Sequence, residues 1–136
     1  MADEDCIFCA IASGEGPGEI VDRDKHTVAF MDINPWTRGH ALVIPRTHSK
    51  NIYEIEDSDL GRTAAVAKRL AIRMKERLRC DGVNVLNAAE AAAWQTVWHF
   101  HLHVIPRYDG DPLEVPTRPE PVDADEIAAV AAELRG

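Results

Sequence analysis

The sequence predicts an α+β domain with a mainly antiparallel sheet, and three observations carry that prediction. Residues 58–79 repeat apolar side chains at helical spacing (Leu60, Ala64, Ala67, Leu70, Ala71, Met74, Leu78), with arginine and lysine on the other face. Short apolar, β-branched runs at 26–33, 40–46, 83–87 and about 96–106 stand on both sides of that helix. The first two are joined by the turn "NPWTRG", a spacing that suits an antiparallel pair. Strands in succession around one long helix make an α+β arrangement.

Each element has its own local reason. Residues 5–13, "DCIFCAIAS", predict a short helix or turn, ended by the Gly/Pro-rich "GEGPG". The run 26–33 is stopped by Asn34-Pro35, and 40–46 is closed by Pro45. Asp57 or Ser58 is the expected cap of the long helix, and "CDG" at 80–82 the expected end, with Gly82 taking a left-handed conformation. "VNVLN" then forms a strand, the alanine-rich "AAEAAAW" a loop, and the histidine-containing run the last strand. Four prolines in 109–121 predict an extended arm, and a final helix starts at Asp123, with Glu126 completing a capping box. The expected organisation is a single domain over 1–136, with its core at about 5–110 and a C-terminal arm and short helix at 111–136.

Bulk properties exclude some function classes. At 136 residues the chain buries roughly two-thirds of its unfolded surface and needs no disulfides to fold. A net charge of −8 argues against binding a nucleic-acid polymer, though not against a small phosphorylated ligand in a locally suited pocket. The acidic opening "MADEDCIFCA" lacks the character of a signal peptide, and no apolar run approaches the ~20 residues of a membrane span. A cytoplasmic protein without membrane partners is the expectation. Cys6, Cys9 and Cys80 are an odd number, so the Cys6-x-x-Cys9 pair is metal-binding, redox-active or incidental rather than part of a disulfide framework.

The stretch "WHFHLHVIPR" carries the strongest chemical signal. Side chains alternate along a strand, so His99, His101 and His103 share one face, while Phe100, Leu102 and Val104 share the packing face. Imidazole, with a reference pKa of about 6.5, serves as nucleophile, base or acid near neutral pH. A row of imidazoles can therefore work on a phosphate, or two of them can hold a metal. Spacing alone leaves both open.

The surrounding blocks decide the family resemblance. "HFHLHVI", Gln95 four residues before it, "AFMDINPWTRGHALVIPRTH" and "CIFCAI" occur in an order that resembles the histidine-triad (HIT) nucleotide hydrolases and transferases over roughly residues 5–110. The resemblance implies a five-stranded antiparallel sheet and pairing as a homodimer. It implies a nucleotide substrate attacked at its α-phosphorus by His101, giving a nucleotidyl-histidine that water resolves. His103, Gln95 and Thr96 then take positions that stabilise the phosphate, and His99 orients His101 or tunes its protons. Asp32 matches the ribose-binding acid, with Phe30, Ile33 and Ile7 or Phe8 around the base, and Asn87 is a further nucleotide-binding position. Cys6, Cys9, His48 and His99 match the positions of a structural zinc in the branch that begins with Cys-x-x-Cys. His40 is expected as a structural hydrogen-bonding residue.

The implied activity is hydrolysis or transfer at the α-phosphate of adenosine 5′-phosphoramidates or dinucleoside polyphosphates, releasing a nucleoside monophosphate. The alternative is a non-catalytic nucleotide-binding module. The departure from the family pattern is the loop "NAAEAAAWQ", which places Trp94 where glycine is frequent.

Overall fold

The computed structural model describes residues 3–114, 120 and 122–136. Its elements are α1 (Ile7–Ser13), β1 (Ile20–Arg23), β2 (Thr27–Met31), β3 (Ala41–Pro45), α2 (Asp57–Arg73), β4 (Gly82–Leu86), β5 (Leu102–Arg107) and α3 (Ala124–Arg135). The strands form one antiparallel sheet in the order β1-β2-β3-β5-β4. Part of the arm expected at 109–121, residues 115–119 and 121, lies outside the described residues. Among the described residues no helix is long and apolar enough to cross a membrane.

Each face of the sheet has its own apolar layer. The α2 residues Val66, Ala67 and Leu70 pack with Ala29, Val43, Phe100, Leu102 and Val104. Phe100, Leu102 and Val104 thus form the packing face that alternation implied. On the other face, Phe8, Ile11 and Ala12 of α1 pack on Val28, Phe30, Leu42 and Ile44. The short α1 covers only part of that face, and the site occupies the remainder.

Several local expectations are corrected. β1 was not foreseen, because "IVDR" is too short and too charged to show a period; a bulge between Ile20 and Asp22 joins it to β2. The α2 N-cap is Glu56, without a side-chain cap bond, and Thr63 donates its hydroxyl back to the Asp59 carbonyl of the preceding turn. A wide π-type turn, Met74–Leu78, extends the helix. The left-handed residue that ends it is Arg79 (φ 55°), while Gly82 already belongs to β4. At α3, Asp123 is the N-cap but makes no side-chain bond, so the capping box is not formed.

The most consequential correction is that β5 begins only at Leu102, not at 96. The β3–β5 register runs through Leu42↔His103 and Val43↔Leu102 and then stops. Continued, it would oppose Phe100 with Pro45, which has no N–H to give, and whose carbonyl accepts from the His99 ring instead. Phe100 donates its N–H to the Ser49 carbonyl beyond the turn. His99 and His101 therefore sit on chain that approaches the sheet, and only His103 sits within it.

Gly39 sets the entry of β3. Its φ is +94°, and a Cβ there would lie 2.5 Å from Leu78 Cδ1 and 3.1 Å from Pro106 Cγ. Both the backbone conformation and the space call for glycine. Gly39→Ala is expected to lower unfolding stability by roughly 1–3 kcal/mol. Urea denaturation of the two proteins measures this, and equal midpoints would refute the packing argument.

Candidate functional site

Four histidines, His40, His99, His101 and His103, meet beside a cavity of about 810 Å³ that His101 and His103 line. The hydrogen-bond partners assign a tautomer to each ring. His99 donates from Nε2 to the Pro45 carbonyl (2.8 Å), leaving Nδ1 with its lone pair. His101 donates from Nδ1 to the His99 carbonyl (2.8 Å), leaving Nε2 with its lone pair. The Trp36 N–H donates to His40 Nδ1 (3.1 Å), so His40 carries its proton on Nε2 and passes a hydrogen bond to His103 Nδ1 (2.9 Å). His103 then holds its own proton on Nε2. The outcome at the cavity is an imidazole lone pair on His101 next to an imidazole N–H on His103. The two rings are 4.9 Å apart between centroids.

Burial keeps these rings neutral. It pushes His103 and His99 down to about 4 and holds His40 and His101 below the ordinary imidazole value, while the Asp32 carboxylate raises His40, His101 and His103 in partial compensation. Asp32 Oδ2 lies 3.6 Å from His40 Nε2, and Oδ1 accepts the Asn34 N–H. His40 was expected as a structural hydrogen-bonding residue; its bond to His103 makes it part of the site. Trp36, which no pattern singled out, stacks on His103 at 5.0 Å and 16°.

The remaining expected residues fall into two groups. Phe8 and Phe30 form a buried wall, their rings 5.2 Å apart, and Phe8 sets its edge against His101. Ile33 is 86% exposed at the cavity mouth rather than inside a slot. Thr96 lines the cavity. Gln95 and Asn87 instead hold backbone. Gln95, expected to donate to phosphate, is buried and gives both amide hydrogens to carbonyls, of Lys50 (2.8 Å) and Val97 (3.1 Å), while its oxygen accepts the Glu90 N–H. Asn87 donates to the His101 carbonyl (2.9 Å) where β4 has run out.

Beneath the triad the two cysteines and two histidines converge. Cys6 Sγ and Cys9 Sγ lie 3.3 and 3.4 Å from His99 Nδ1, His48 Nδ1 lies 3.3 Å from it, and Cys9 Sγ is 3.4 Å from His48 Nδ1. Metal bonds of about 2.3 Å to sulfur and 2.0 Å to nitrogen give tetrahedral edges of about 3.3–3.8 Å. The donor set fits such an ion in type and spacing. The Pro45 bond that turns His99 Nδ1 toward the cluster is the outer contact that metal-binding imidazoles commonly make.

A family model described as the HIT domain matches residues 13–110. The chain belongs to the HIT family. An uncharacterized HIT-like protein of Methanocaldococcus jannaschii is 42% identical over 106 residues, covering 78% of this chain and 81% of the relative. Among solved structures, a Streptococcus mutans protein superposes with a TM-score of 0.93 at 31% identity, covering 98% of this chain and 85% of the other. A structure described as a Zn-bound histidine triad family protein from Mycobacterium smegmatis superposes with a TM-score of 0.78 at 40% identity, covering 96% of each chain. In this HIT domain, His99, His101 and His103 are the triad.

The buried neutral His103 ties stability to pH. Its folded pKa, about 4, lies below the unfolded value of about 6.5, so the unfolded chain binds the proton more readily between those values. Stability is therefore complete above about pH 6.5 and declines as pH falls toward 4. His103→Gln is expected to flatten this decline. Urea midpoints at pH 7 and pH 5 for both proteins measure the difference, and parallel declines would contradict the assignment.

Proposed function

We propose that this HIT domain is a nucleotidyl hydrolase or transferase that cleaves adenosine 5′-phosphoramidates or dinucleoside polyphosphates at the α-phosphate and releases a nucleoside monophosphate. The observation that carries the reading is the pairing of a His101 Nε2 lone pair with a His103 N–H at one cavity. His101 Nε2 forms the bond to phosphorus, and the positive charge that develops on its ring is eased by the Nδ1–H bond to the His99 carbonyl. The electron pair of the broken bond goes to the leaving atom. His103 takes up a proton from solvent as the substrate's phosphate anion binds, and the resulting imidazolium gives a proton to that atom and returns to the neutral ring. Water then attacks phosphorus, the pair returns to His101 Nε2, and His103 passes the water proton back to solvent.

Asp32 accepts hydrogen bonds from ribose hydroxyls, and Phe8, Phe30 and Ile33 flank the base. Thr96 contacts phosphate. Gln95 and Asn87 act by holding the loop and the His101 backbone. A structural zinc on Cys6, Cys9, His48 and His99 would tie α1 to the triad segment and fix the His99 carbonyl that orients His101. The Zn-bound description of the Mycobacterium smegmatis relative supports that choice of ion. Homodimer formation belongs to the same reading, supported by β4, a sheet edge that presents the half-exposed Val85.

Two experiments test this. Wild-type protein incubated with adenosine 5′-phosphoramidate and with a diadenosine polyphosphate should release AMP from at least one. His101→Ala should lower that rate by about three orders of magnitude or more while AMP still binds. Equal turnover by both proteins would remove His101 as nucleophile, and AMP binding without turnover by wild type would mark a binding module. Separately, Cys6→Ser should lose most of its zinc by metal analysis and melt several degrees lower; unchanged zinc content would remove Cys6 as a ligand.

A further inference from the structure

The Cys6-x-x-Cys9 pair has a chemistry that holding a metal does not use. Cys6 is the N-cap of α1, and Cys9 follows in its first turn. Cys9 donates its N–H to Cys6 Sγ (3.4 Å), and the two sulfurs lie within 4.8 Å of each other. Cα atoms three residues apart in a helical turn are roughly 5 Å apart, inside the ~4.4–6.8 Å that a disulfide spans. The two thiols also differ in access, Cys6 being partly exposed and Cys9 buried. That is the division between a thiol that meets an oxidant and one that resolves the product. Cys80 is packed in the α2 layer, across the sheet from α1.

Two connections run from these sulfurs to the nucleotide cavity. Phe8 stands between the cysteines in the sequence, and its ring is part of the cavity wall. It sets its edge against His101 and against Phe30, each at 5.2 Å between centroids. The other connection is His99. Its Nδ1 lies 3.3 and 3.4 Å from the Cys6 and Cys9 sulfurs, and its carbonyl accepts the His101 Nδ1–H. The seat of α1 and the orientation of His101 thus both depend on what the two sulfurs hold.

We propose that Cys6 and Cys9 are an oxidation site through which a peroxide regulates the nucleotide cavity: their pairing as a disulfide weakens nucleotide binding, and reduction restores it. The proposal concerns regulation of the site assigned above and rests on that reading. Cys6 Sγ attacks one peroxide oxygen, the O–O bond breaks, and the sulfur becomes a sulfenic acid as the other oxygen leaves as water. Cys9 Sγ then attacks that sulfur, the S–O bond breaks, and a second water leaves. The two thiols lose two electrons and two protons, and the peroxide gains them. Thiolate, not disulfide, is the metal ligand, so the four-donor cluster keeps only its two imidazoles. The buried His99 Nδ1 loses both sulfur partners, and Phe8 and the His99 carbonyl lose the tie that seats them against His101.

The test treats the zinc-loaded full chain with a small excess of hydrogen peroxide. Intact mass should fall by about 2 Da against the reduced chain, and peptide mapping should find a Cys6–Cys9 bridge. Zinc should be released, and AMP affinity should fall about tenfold, with AMP release from substrate falling alongside. Zinc alone should not reverse these changes, whereas dithiothreitol with zinc should. Cys80→Ala should respond as wild type does, and Cys6→Ser should show no dithiothreitol-reversible change. Absence of the bridge, oxidation to sulfinic acid instead, or a bridged protein with unchanged AMP affinity would overturn the proposal. Untreated protein that binds AMP but releases none from any substrate would overturn the transfer reading, while the affinity change still decides the oxidation site. Untreated protein that binds no AMP would overturn both.

Discussion

One hydrogen bond, from His99 Nε2–H to the Pro45 carbonyl, sets an orientation on which both halves of the site depend. It exists because Pro45 has no N–H with which to continue the β3–β5 ladder, so its carbonyl is free for a ring donor. With that proton placed, His99 must face the cysteines with a bare Nδ1, which is what a metal ion requires. The same residue's carbonyl takes the His101 Nδ1–H, which leaves Nε2 with its lone pair, the nitrogen that attacks in the proposed reaction. A different His99 tautomer would spoil the metal cluster, and a displaced His99 backbone would misdirect His101. Asn87 holds the next carbonyl along, that of His101, so the segment that leaves the sheet is pinned at successive points.

The second constraint is electrostatic. His99 and His101 are buried, as is His40, and His103 is partly so. Desolvation makes an isolated imidazolium costly there, which keeps His101 unprotonated without an adjacent base. The same desolvation disfavours a charged His103, and in the proposed reaction the substrate's phosphate anion offsets that cost. Asp32 is the acidic group already in place beside His40. Among the described residues no lysine or arginine lines this cavity, so the donors it offers are neutral groups.

Much of this was legible in the sequence, and the limits have physical causes. The amphipathic repeat of α2 and the alternation of Phe100, Leu102 and Val104 encode burial directly, so those elements and their faces were readable. The triad was readable as a row from the alternation of His99, His101 and His103. The Cys/His set came only through the family resemblance, because its ligands stand far apart in the sequence and only the fold brings them together. Element ends were not: Arg79 rather than Gly82 turns left-handed because the π-type turn changes the phase at which α2 ends, and periodicity carries no such phase. The strand start at Leu102 depended on a pairing between residues more than fifty positions apart. The role of Gln95 depended equally on Lys50, which no local motif could supply. His40 and Trp36 joined the site through a turn whose geometry hinges on Gly39.

The loop before the triad shows how a local violation is stabilised. Glu90 and Trp94 both have positive φ, 75° and 76°, and Glu90's ψ of 161° places it in a region that is nearly glycine-only. Such conformations cost of order 1–3 kcal/mol each. Gln95 makes three partly buried side-chain bonds in and around this loop, and its own N–H returns to the Glu90 carbonyl. At roughly 1 kcal/mol net per bond, the brace is of the same order as the strain. Gln95 and Trp94 therefore form one device: the amide closes the loop from Glu90 to Gln95, and that closure holds the neighbouring indole at the cavity. A flexible glycine loop would let the backbone approach the phosphate but would position no ring. Here that freedom is exchanged for a fixed aromatic surface at the cavity.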